Sequence, residues 1–335
     1  MIKYADIRHV HLELSTFCNA RCPLCSRNFR GYPFNDGYPE VNMTLSQAKM
    51  IFAESFLMQL KTMTLSGNLG DSLMNPHTVD ILDYFKKLNN DLKISIDTNG
   101  SGRNKKYWQD LARLDITIKF ALDGLADTHH LYRQDTDFNK ILANAKTFID
   151  AGGSAIWKMV PFKHNQHQIK ECEKLAYSLG FKYFIINDES RNSGPVYDKQ
   201  GNLVHVMGDY TGIVEFKQNF KSKQTDLVLI EDIAKDKTPK KQTTCQAKKD
   251  RAIYVAANGE ISPCCWLGFY PKTYGHGEYH QAVNAQISDI VYKNNALSYP
   301  LEECLQWFSQ IEKSWNISDY RDGRLIACDD NCGSN

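Results

Sequence analysis

The alternation of strand-like and helix-like segments between residues 8 and 187 constrains the fold of this chain more than any other feature. Six apolar or alternating segments are typical of β-strands, and amphipathic helical periodicity separates them. This order predicts right-handed βαβ units around a parallel sheet, and therefore an α/β fold. The predicted strands are Arg8–Leu14, Met63–Ser66, Leu92–Asp97, Ile116–Leu122, Ala155–Val160 and Lys182–Asn187.

Polar residues mark the predicted starts of the helices between these strands. Thr44, Asn75, Asp137 and Asn165 each precede an amphipathic run, and a short polar side chain at that position caps the first helical turn. The helix that follows Thr44 is expected to continue without a break to Leu60. The four residues are therefore predicted N-caps.

Residues that can carry chemistry follow several of the predicted strands. The segment Cys18–Cys25 comes after the first strand, 67–71 after the second, 98–100 after the third, and Asp123 after the fourth. Ligands of parallel α/β sheets bind at the carboxyl ends of the strands. We therefore expect these four positions to form one site.

Three cysteines of the first loop, Cys18, Cys22 and Cys25, are spaced like metal or cluster ligands. Three thiolates can hold three irons of a four-iron cluster and leave the fourth iron open. An alternative is a structural zinc, which needs a fourth ligand that His9 or His11 could supply.

The cysteine spacing, three residues and then two, is identified as that of the radical S-adenosylmethionine (radical SAM) enzymes. The resemblance implies a partial (β/α)6 TIM-type barrel and a [4Fe-4S] cluster whose open iron binds the amino and carboxylate groups of S-adenosylmethionine. It also implies cleavage of this cofactor to a 5′-deoxyadenosyl radical that takes a hydrogen atom from a substrate. A reducing partner such as flavodoxin or ferredoxin would supply the electron.

Four later segments resemble the cofactor-binding stretches of that family. They are 66–71, 95–100, 121–124 together with His129 and Arg133, and the strand end at Val160. Leu24 departs from the aromatic residue that usually precedes the third cysteine. The resemblance implies these cofactor-binding residues: Gly67, Asn68, Gly70, Asp71, Ser95, Asp97, Asn99, Asp123, Arg133 and Val160.

A second set of cysteines begins at Cys245. The spacing from Cys245 to Gly259 and on to Cys264 resembles the opening of the twitch and SPASM domains, and Cys328 and Cys332 form a close C-terminal pair. The resemblance implies a small cysteine-rich twitch domain, a β-hairpin plus helix, with one auxiliary [4Fe-4S] cluster on the four cysteines. The alternative is a zinc site with four cysteine ligands.

The remaining cysteines receive other interpretations. Asn258 and Gly259 are typical of a two-residue hairpin turn, which would place Cys264 on the second strand beside Cys265. Cys265 is a candidate thiol for returning a hydrogen atom to a substrate radical. Cys172 occurs in an amphipathic helix and is expected to be a buried core residue. Cys304 occurs in a helix-like segment and receives no role.

The pattern predicts three regions, with a radical SAM barrel at 1–190, a linker or substrate-covering insertion at 191–243, and the auxiliary-cluster domain at 244–335. The net charge is +1, which disfavours nucleic acid as a partner. No run of 18 apolar residues and no signal peptide occurs, so we expect a cytoplasmic protein without a membrane partner.

The predicted reaction is dehydrogenation of a small molecule, with the auxiliary cluster accepting an electron. Candidate substrate-binding or proton-accepting residues are Lys158, His164, Glu189 and Arg191, of which Lys158 and Arg191 are assigned catalytic roles together with the first three cysteines. Peptide maturation by crosslinking or epimerisation is the alternative. The first strand begins near residue 8, so we expect no N-terminal leader-binding domain, which favours a small molecule. A non-catalytic iron–sulfur or zinc protein is the alternative of another class.

Overall fold

The computed structural model describes residues 2–25, 27–33, 38–187, 194–208, 230–234, 237–270 and 278–334. Its strands are β1 (His9–Leu12), β2 (Asn28–Phe29), β3 (Tyr32–Pro33), β4 (Thr62–Leu65), β5 (Lys93–Thr98), β6 (Thr117–Ala121), β7 (Ser154–Met159), β8 (Tyr183–Ile186), β9 (Gly194–Tyr197), β10 (Leu203–Met207), β11 (Gln242–Thr243), β12 (Ala252–Val255), β13 (Ile261–Ser262) and β14 (Gly333–Ser334).

The α-helices complete the secondary structure. They are α1 (Leu45–Ile51), α2 (Glu54–Gln59), α3 (Thr78–Leu88), α4 (Lys105–Ala112), α5 (Ala126–Tyr132), α6 (Phe138–Asp150), α7 (Ile169–Ser178), α8 (Ile230–Ala234), α9 (Gln246–Lys249), α10 (Cys265–Phe269), α11 (Glu278–Ser288), α12 (Leu301–Cys304), α13 (Phe308–Ser314) and α14 (Ile326–Cys332). No helix of the described ranges is long and apolar enough to cross a bilayer.

One open sheet contains all six predicted strands. Its order is β13-β12-β1-β4-β5-β6-β7-β8, and every neighbouring pair from β12 to β8 is parallel. The α/β fold and the parallel sheet predicted from the alternation are thus confirmed. Within the described ranges β13 and β8 form the two edges, so the sheet does not close.

The C-terminal hairpin extends this same sheet. Strand β12 pairs in parallel with β1, in a register that joins His9 to Ala252 and Leu12 to Val255, and β13 pairs antiparallel with β12. A three-residue loop connects β12 to β13. In this loop Gly259 has φ +85°, and its N–H donates to the Ala256 carbonyl. The expected two-residue turn is wrong, although the hairpin is present.

Two predicted N-caps are confirmed and two are wrong. The Thr44 hydroxyl accepts from the Gln47 N–H and Asp137 accepts from the Lys140 N–H. The Asn75 side-chain amide donates to the carbonyls of Leu14 and Met43, both at 2.7 Å, and its Oδ1 accepts from the His77 N–H at 2.8 Å, but helix α3 begins only at Thr78 with His77 at its N-cap position.

Asn165 likewise stabilises a turn rather than a helix start. Its side-chain Oδ1 accepts from the Phe162 N–H at 2.6 Å, and its side-chain amide group donates to the Val160 carbonyl. A 3-10 turn, Gln166–Gln168, then leads into α7. Both asparagines bond with distant or preceding backbone groups, which a local pattern does not reveal.

The helix expected from Thr44 to Leu60 is interrupted at Phe52. The Tyr84 hydroxyl donates to the Phe52 carbonyl at 3.0 Å, so the carbonyl group at the end of α1 has a hydrogen-bond partner. Phe52 at the break and Phe56 in α2 are both fully buried, and the Phe52 ring packs edge-on against Phe85 at 5.0 Å. Tertiary packing therefore overrides the helical pattern here.

Buried apolar side chains fill the space between the sheet and its helices. Phe120 of β6 packs against Trp108 of α4 at 5.3 Å and against Phe148 of α6 at 6.4 Å. Cys172 is fully buried in the same core, as predicted, and Cys304 is fully buried there as well.

The loop after β4 passes so close to the loop after β1 that only glycine fits at Gly70. A Cβ atom there would lie 2.1 Å from the Ser15 carbonyl oxygen, and one on Gly67 would lie 1.8 Å from the Gly70 carbonyl oxygen. The glycines therefore serve the contact between two strand-end loops.

We predict that Gly70→Ala lowers the thermal unfolding midpoint by about 2 °C or more, because the backbone must move to admit the methyl group. Differential scanning calorimetry of the full chain measures this shift. Gly102→Ala is the matched control, since its Cβ meets only the Met74 sulfur at 3.2 Å. Equal midpoints for the two variants would contradict the prediction.

Candidate functional site

A cleft of about 870 Å³ opens at the carboxyl ends of the parallel strands. It brings together residues from the loops after β1, β4, β5, β6 and β7, as the strand-end argument predicts. Most of the predicted site residues line it: Cys18, Cys22, Cys25, Gly67, Asn68, Gly70, Asp71, Asp97, Asn99, Arg133, Lys158 and Val160.

Two of the predicted cofactor-binding residues, Ser95 and Asp123, do not line the cleft. The Ser95 hydroxyl lies 3.5 Å from the Lys119 ammonium group on the sheet. Asp123 is completely buried behind the cleft. Arg191 lies outside the described residues, as does Glu189.

Two of the three cysteines of the first loop, Cys18 and Cys22, receive hydrogen bonds to sulfur from the surrounding chain. The Cys18 Sγ accepts from the Ala20 N–H at 3.4 Å and from the Asn99 amide at 3.7 Å, and the Cys22 Sγ accepts from Arg133 at 3.6 Å. Donors aimed at cysteine sulfur stabilise thiolates and tune the iron–sulfur clusters that they hold.

Burial works against thiolates here as long as no cation is bound. It raises the pKa of the Cys18 thiol, and the nearby Asp71 carboxylate raises it further. It also raises the pKa of Cys22, although Arg133 opposes this shift. A bound metal deprotonates its coordinating thiols. The donor set therefore fits an iron cluster better than it fits three uncoordinated thiols.

Asp71 organises the centre of the cleft. Its Oδ2 accepts from the Thr98 hydroxyl at 2.7 Å and from the backbone and side-chain N–H groups of Asn99 at 2.9 and 2.8 Å. Burial nevertheless raises the pKa of this carboxyl group above its usual value. Asp71 thereby fixes Asn99, which also donates to Cys18 and Asn19.

Asp123 acts from behind the cleft as a positioning residue. Its carboxylate accepts from Arg133 Nε at 2.6 Å and from the Val160 N–H at 2.6 Å. It therefore holds the guanidinium group that reaches Cys22 and also fixes the end of β7. His129 supports this corner: burial lowers its pKa to about 3, and its neutral ring accepts from the Asp123 N–H.

Two lysines neutralise Asp97 on the cleft wall. The Lys158 ammonium group lies 3.0 Å from Asp97 Oδ1, and that of Lys119 lies 3.8 Å from Oδ2. Lys158 is 30% exposed and faces the cleft, so it can still contact a bound molecule.

A second cavity, of about 400 Å³, lies on the other side of α10. Five cysteines line it, which is one more than the predicted ligand set: Cys245, Cys264, Cys265, Cys328 and Cys332. Burial raises the pKa of Cys245, Cys264 and Cys265, and that of Cys328 to about 12. Chain segments some 80 residues apart thus bring their thiols to one cavity.

His9 and His11 line the second cavity rather than the cleft. The proposal that either could complete a zinc site with Cys18, Cys22 and Cys25 is therefore wrong, because alternate residues of β1 face away from that loop. No group of three or more His, Cys, Asp or Glu side chains in the described ranges is arranged to hold a metal ion directly.

Sequence reasoning missed Glu13, which is 1% exposed at the end of β1. Its carboxylate accepts from the Asn68 N–H at 2.5 Å and from the Tyr254 hydroxyl at 2.7 Å. A carboxylate within an otherwise apolar strand, directly before the cysteine loop, was the signal that could have identified it.

Sequence reasoning also missed the aromatic wall of the cleft. Trp266, Phe269 and Tyr270 of the α10 region line it together with His280 of α11, and Tyr132 of α5 lies on the cleft as well. The position of Trp266 directly after the paired cysteines was the signal that could have identified it. These side chains place part of the C-terminal region against the predicted cofactor site.

Comparison with known proteins gives both sequence and structural relatives. The radical SAM superfamily domain matches residues 12–176. The tungsten-containing aldehyde ferredoxin oxidoreductase cofactor-modifying protein of Pyrococcus furiosus is 23% identical over 335 residues, which cover 96% of this chain and 89% of that protein.

Two solved structures share the fold. Native anSMEcpe with bound AdoMet and Cp18Cys peptide has a TM-score of 0.52 at 15% identity, over 97% of this chain and 91% of that chain. Streptococcus suis SuiB bound to S-adenosylmethionine has a TM-score of 0.50 at 16% identity, over 78% of this chain and 61% of that chain. The present chain therefore spans less than two thirds of that SuiB chain.

The matched domain contains the three-cysteine loop, the glycine-containing loop after β4 and the strand ends that form the cleft. The family resemblance predicted from Cys18, Cys22 and Cys25 is confirmed. This chain belongs to the radical SAM superfamily and is an enzyme that binds S-adenosylmethionine.

Proposed function

We propose that the enzyme removes a hydrogen atom from a small molecule and completes a dehydrogenation, with an auxiliary [4Fe-4S] cluster as electron acceptor. The observation that carries this proposal is the position of α10. This one helix begins at the cysteines of the second cavity and ends in the wall of the cleft.

Residues of the first loop and the cleft would hold the cofactors. Cys18, Cys22 and Cys25 would hold a [4Fe-4S] cluster, which together with S-adenosylmethionine supplies the 5′-deoxyadenosyl radical when both are bound. The loop 67–71 lies beside them with its backbone exposed to the cleft. We assign this loop to the methionine end of the cofactor.

The wall between the two cavities is one layer of side chains thick. The Asn68 amide donates to the Cys265 carbonyl at 3.1 Å, and Trp266 lines both cavities. A substrate in the cleft would therefore lie close to a cluster held by Cys245, Cys264, Cys328 and Cys332. Such a cluster could take the second electron of the oxidation, while a base takes the proton.

Lys158 is placed to bind a molecule in the cleft. Its ammonium group lies 3.0 Å from Asp97, which holds the side chain at the cleft wall. We therefore assign Lys158 to holding an acidic or polar group of the substrate or the cofactor.

Peptide modification is the second candidate function. The cleft of about 870 Å³ has room for a side chain in addition to S-adenosylmethionine. One of the structural neighbours, anSMEcpe, has a structure with both AdoMet and a peptide bound. The Pyrococcus furiosus relative, in contrast, is named as modifying a cofactor. That relative matches over most of both chains, so we rank the small molecule first.

We predict that the triple variant Cys18→Ala/Cys22→Ala/Cys25→Ala retains about four irons per chain and forms no 5′-deoxyadenosine, because only the first cluster would be lost. Anaerobic reconstitution, iron and sulfide analysis and a 5′-deoxyadenosine assay after dithionite reduction measure both quantities. Cys172→Ala, in the buried core, is the control with unchanged iron. Surviving cofactor cleavage, or loss of all the iron, would overturn the two-site proposal.

Replacement of Cys328 and Cys332 by alanine is expected to remove about four irons per chain while uncoupled formation of 5′-deoxyadenosine continues. The same metal analysis and product assay test this variant. Cys304→Ala, which alters a buried cysteine outside the second cavity, provides the control. Zinc in the wild-type protein in place of the second four irons would exclude an electron acceptor at this cavity and favour a structural metal site.

A further inference from the structure

Trp266 and Tyr270 form a stacked pair on the cleft wall, and we propose that this pair is a platform for a planar aromatic or conjugated ring of the substrate. The inference rests on the proposed function, because the ring would belong to the molecule that loses a hydrogen atom. It adds to that function a chemical class of substrate and the residue that selects it.

Trp266 differs from the other tryptophans in its exposure. It is 44% exposed within a cleft, whereas Trp108, Trp157 and Trp307 are at most 1% exposed. The Trp266 and Tyr270 rings stack with their centroids 5.7 Å apart and their planes inclined by 21°. An indole that is supported by a second ring and remains exposed in a cleft can stack on a ligand ring.

The platform is held rigidly against the sheet. Helix α10 packs so closely on β12 that a Cβ atom on Gly268 would lie 2.3 Å from the Tyr254 ring. The Tyr254 hydroxyl is in turn bonded to the buried Glu13. A preorganised aromatic surface costs little conformational entropy when a ligand binds.

The platform is also fixed relative to the predicted cofactor loop. The carbonyl of Cys265, the residue before Trp266, accepts the hydrogen bond from Asn68 at 3.1 Å. A ring stacked on Trp266 would therefore lie beside the loop 67–71 and next to the second cavity. That position suits a substrate whose radical is delocalised over the ring and is oxidised toward the second cavity.

Stacking can be separated from plain hydrophobic contact with two probes of the same carbon skeleton, N-acetylphenylalaninamide with a planar aromatic ring and N-acetylcyclohexylalaninamide with a puckered saturated ring. Binding to the reconstituted full-length protein with S-adenosylmethionine present is measured by saturation-transfer difference NMR titration. We expect the phenyl probe to bind about threefold or more tighter, since stacking adds affinity beyond area burial. Trp266→Leu should abolish this preference and Trp266→Phe should keep it.

Tyr183→Leu is the matched control, because Tyr183 is a 52% exposed aromatic residue of β8 outside the cleft. A preference that persists in Trp266→Leu, or equal affinities in the wild-type protein, would overturn the inference. The Trp266→Phe variant guards against a misfolded leucine variant. Formation of 5′-deoxyadenosine by the same wild-type preparation tests the proposed function separately, since probe binding requires no turnover.

Discussion

The buried carboxylate of Glu13 joins the three chain segments from which both cavities are built. It stands at the end of β1 and accepts hydrogen bonds from the Asn68 N–H and the Tyr254 hydroxyl. Burial of a carboxylate without such donors would cost several kcal/mol of folding free energy. These hydrogen bonds therefore fix the positions of the loop 67–71 and of β12 together. Burial raises the pKa of Tyr254 well above its usual value, and Glu13 adds to that shift, so the phenol stays protonated and continues to donate.

This arrangement explains why the C-terminal region belongs to the cleft rather than beside it. Strand β12 pairs with β1 along its whole length, so the second cysteine set arrives at the edge of the sheet next to the first. Helix α10 then crosses from Cys264 to the cleft wall. The separation of the two sites is therefore set by strand pairing and by the Asn68–Cys265 hydrogen bond, both of which exist without any bound group.

The sequence-based prediction succeeded where the determinants are local. Strands recur at the predicted places, and the three-cysteine loop follows the first of them, because apolar periodicity and cysteine spacing are readable within a short window. The prediction failed where a side chain bonds with a distant backbone group. The Asn75 amide donates to Leu14 and Met43, far from it in sequence, and helix α3 begins only at Thr78.

The same reason limits the prediction of the site. Pairing of β12 with β1 joins residues more than 240 positions apart, and no sequence pattern within either strand predicts this pairing. His9 and His11 are close in sequence to the first three cysteines and are candidates for a fourth zinc ligand on that ground. The alternation of side chains along β1 instead directs both histidines to the second cavity. The aromatic wall became visible only once α10 was placed against the loop 67–71.

The two cysteine sets also differ in how far the protein alone prepares them. Around Cys328 and Cys332, the side chain of Asp329 is 1% exposed and accepts from Arg324 at 2.8 and 2.9 Å and from Thr243 at 2.8 Å. Thr243 lies two residues before Cys245, so this network holds Cys245 near the C-terminal pair. In the first loop the side chains of Asn99 and Arg133 instead donate hydrogen bonds directly to the sulfur atoms of Cys18 and Cys22. Those bonds strengthen as the thiols lose their protons, so the first site is completed by the cluster it receives, whereas the second is largely built by hydrogen bonds of the chain.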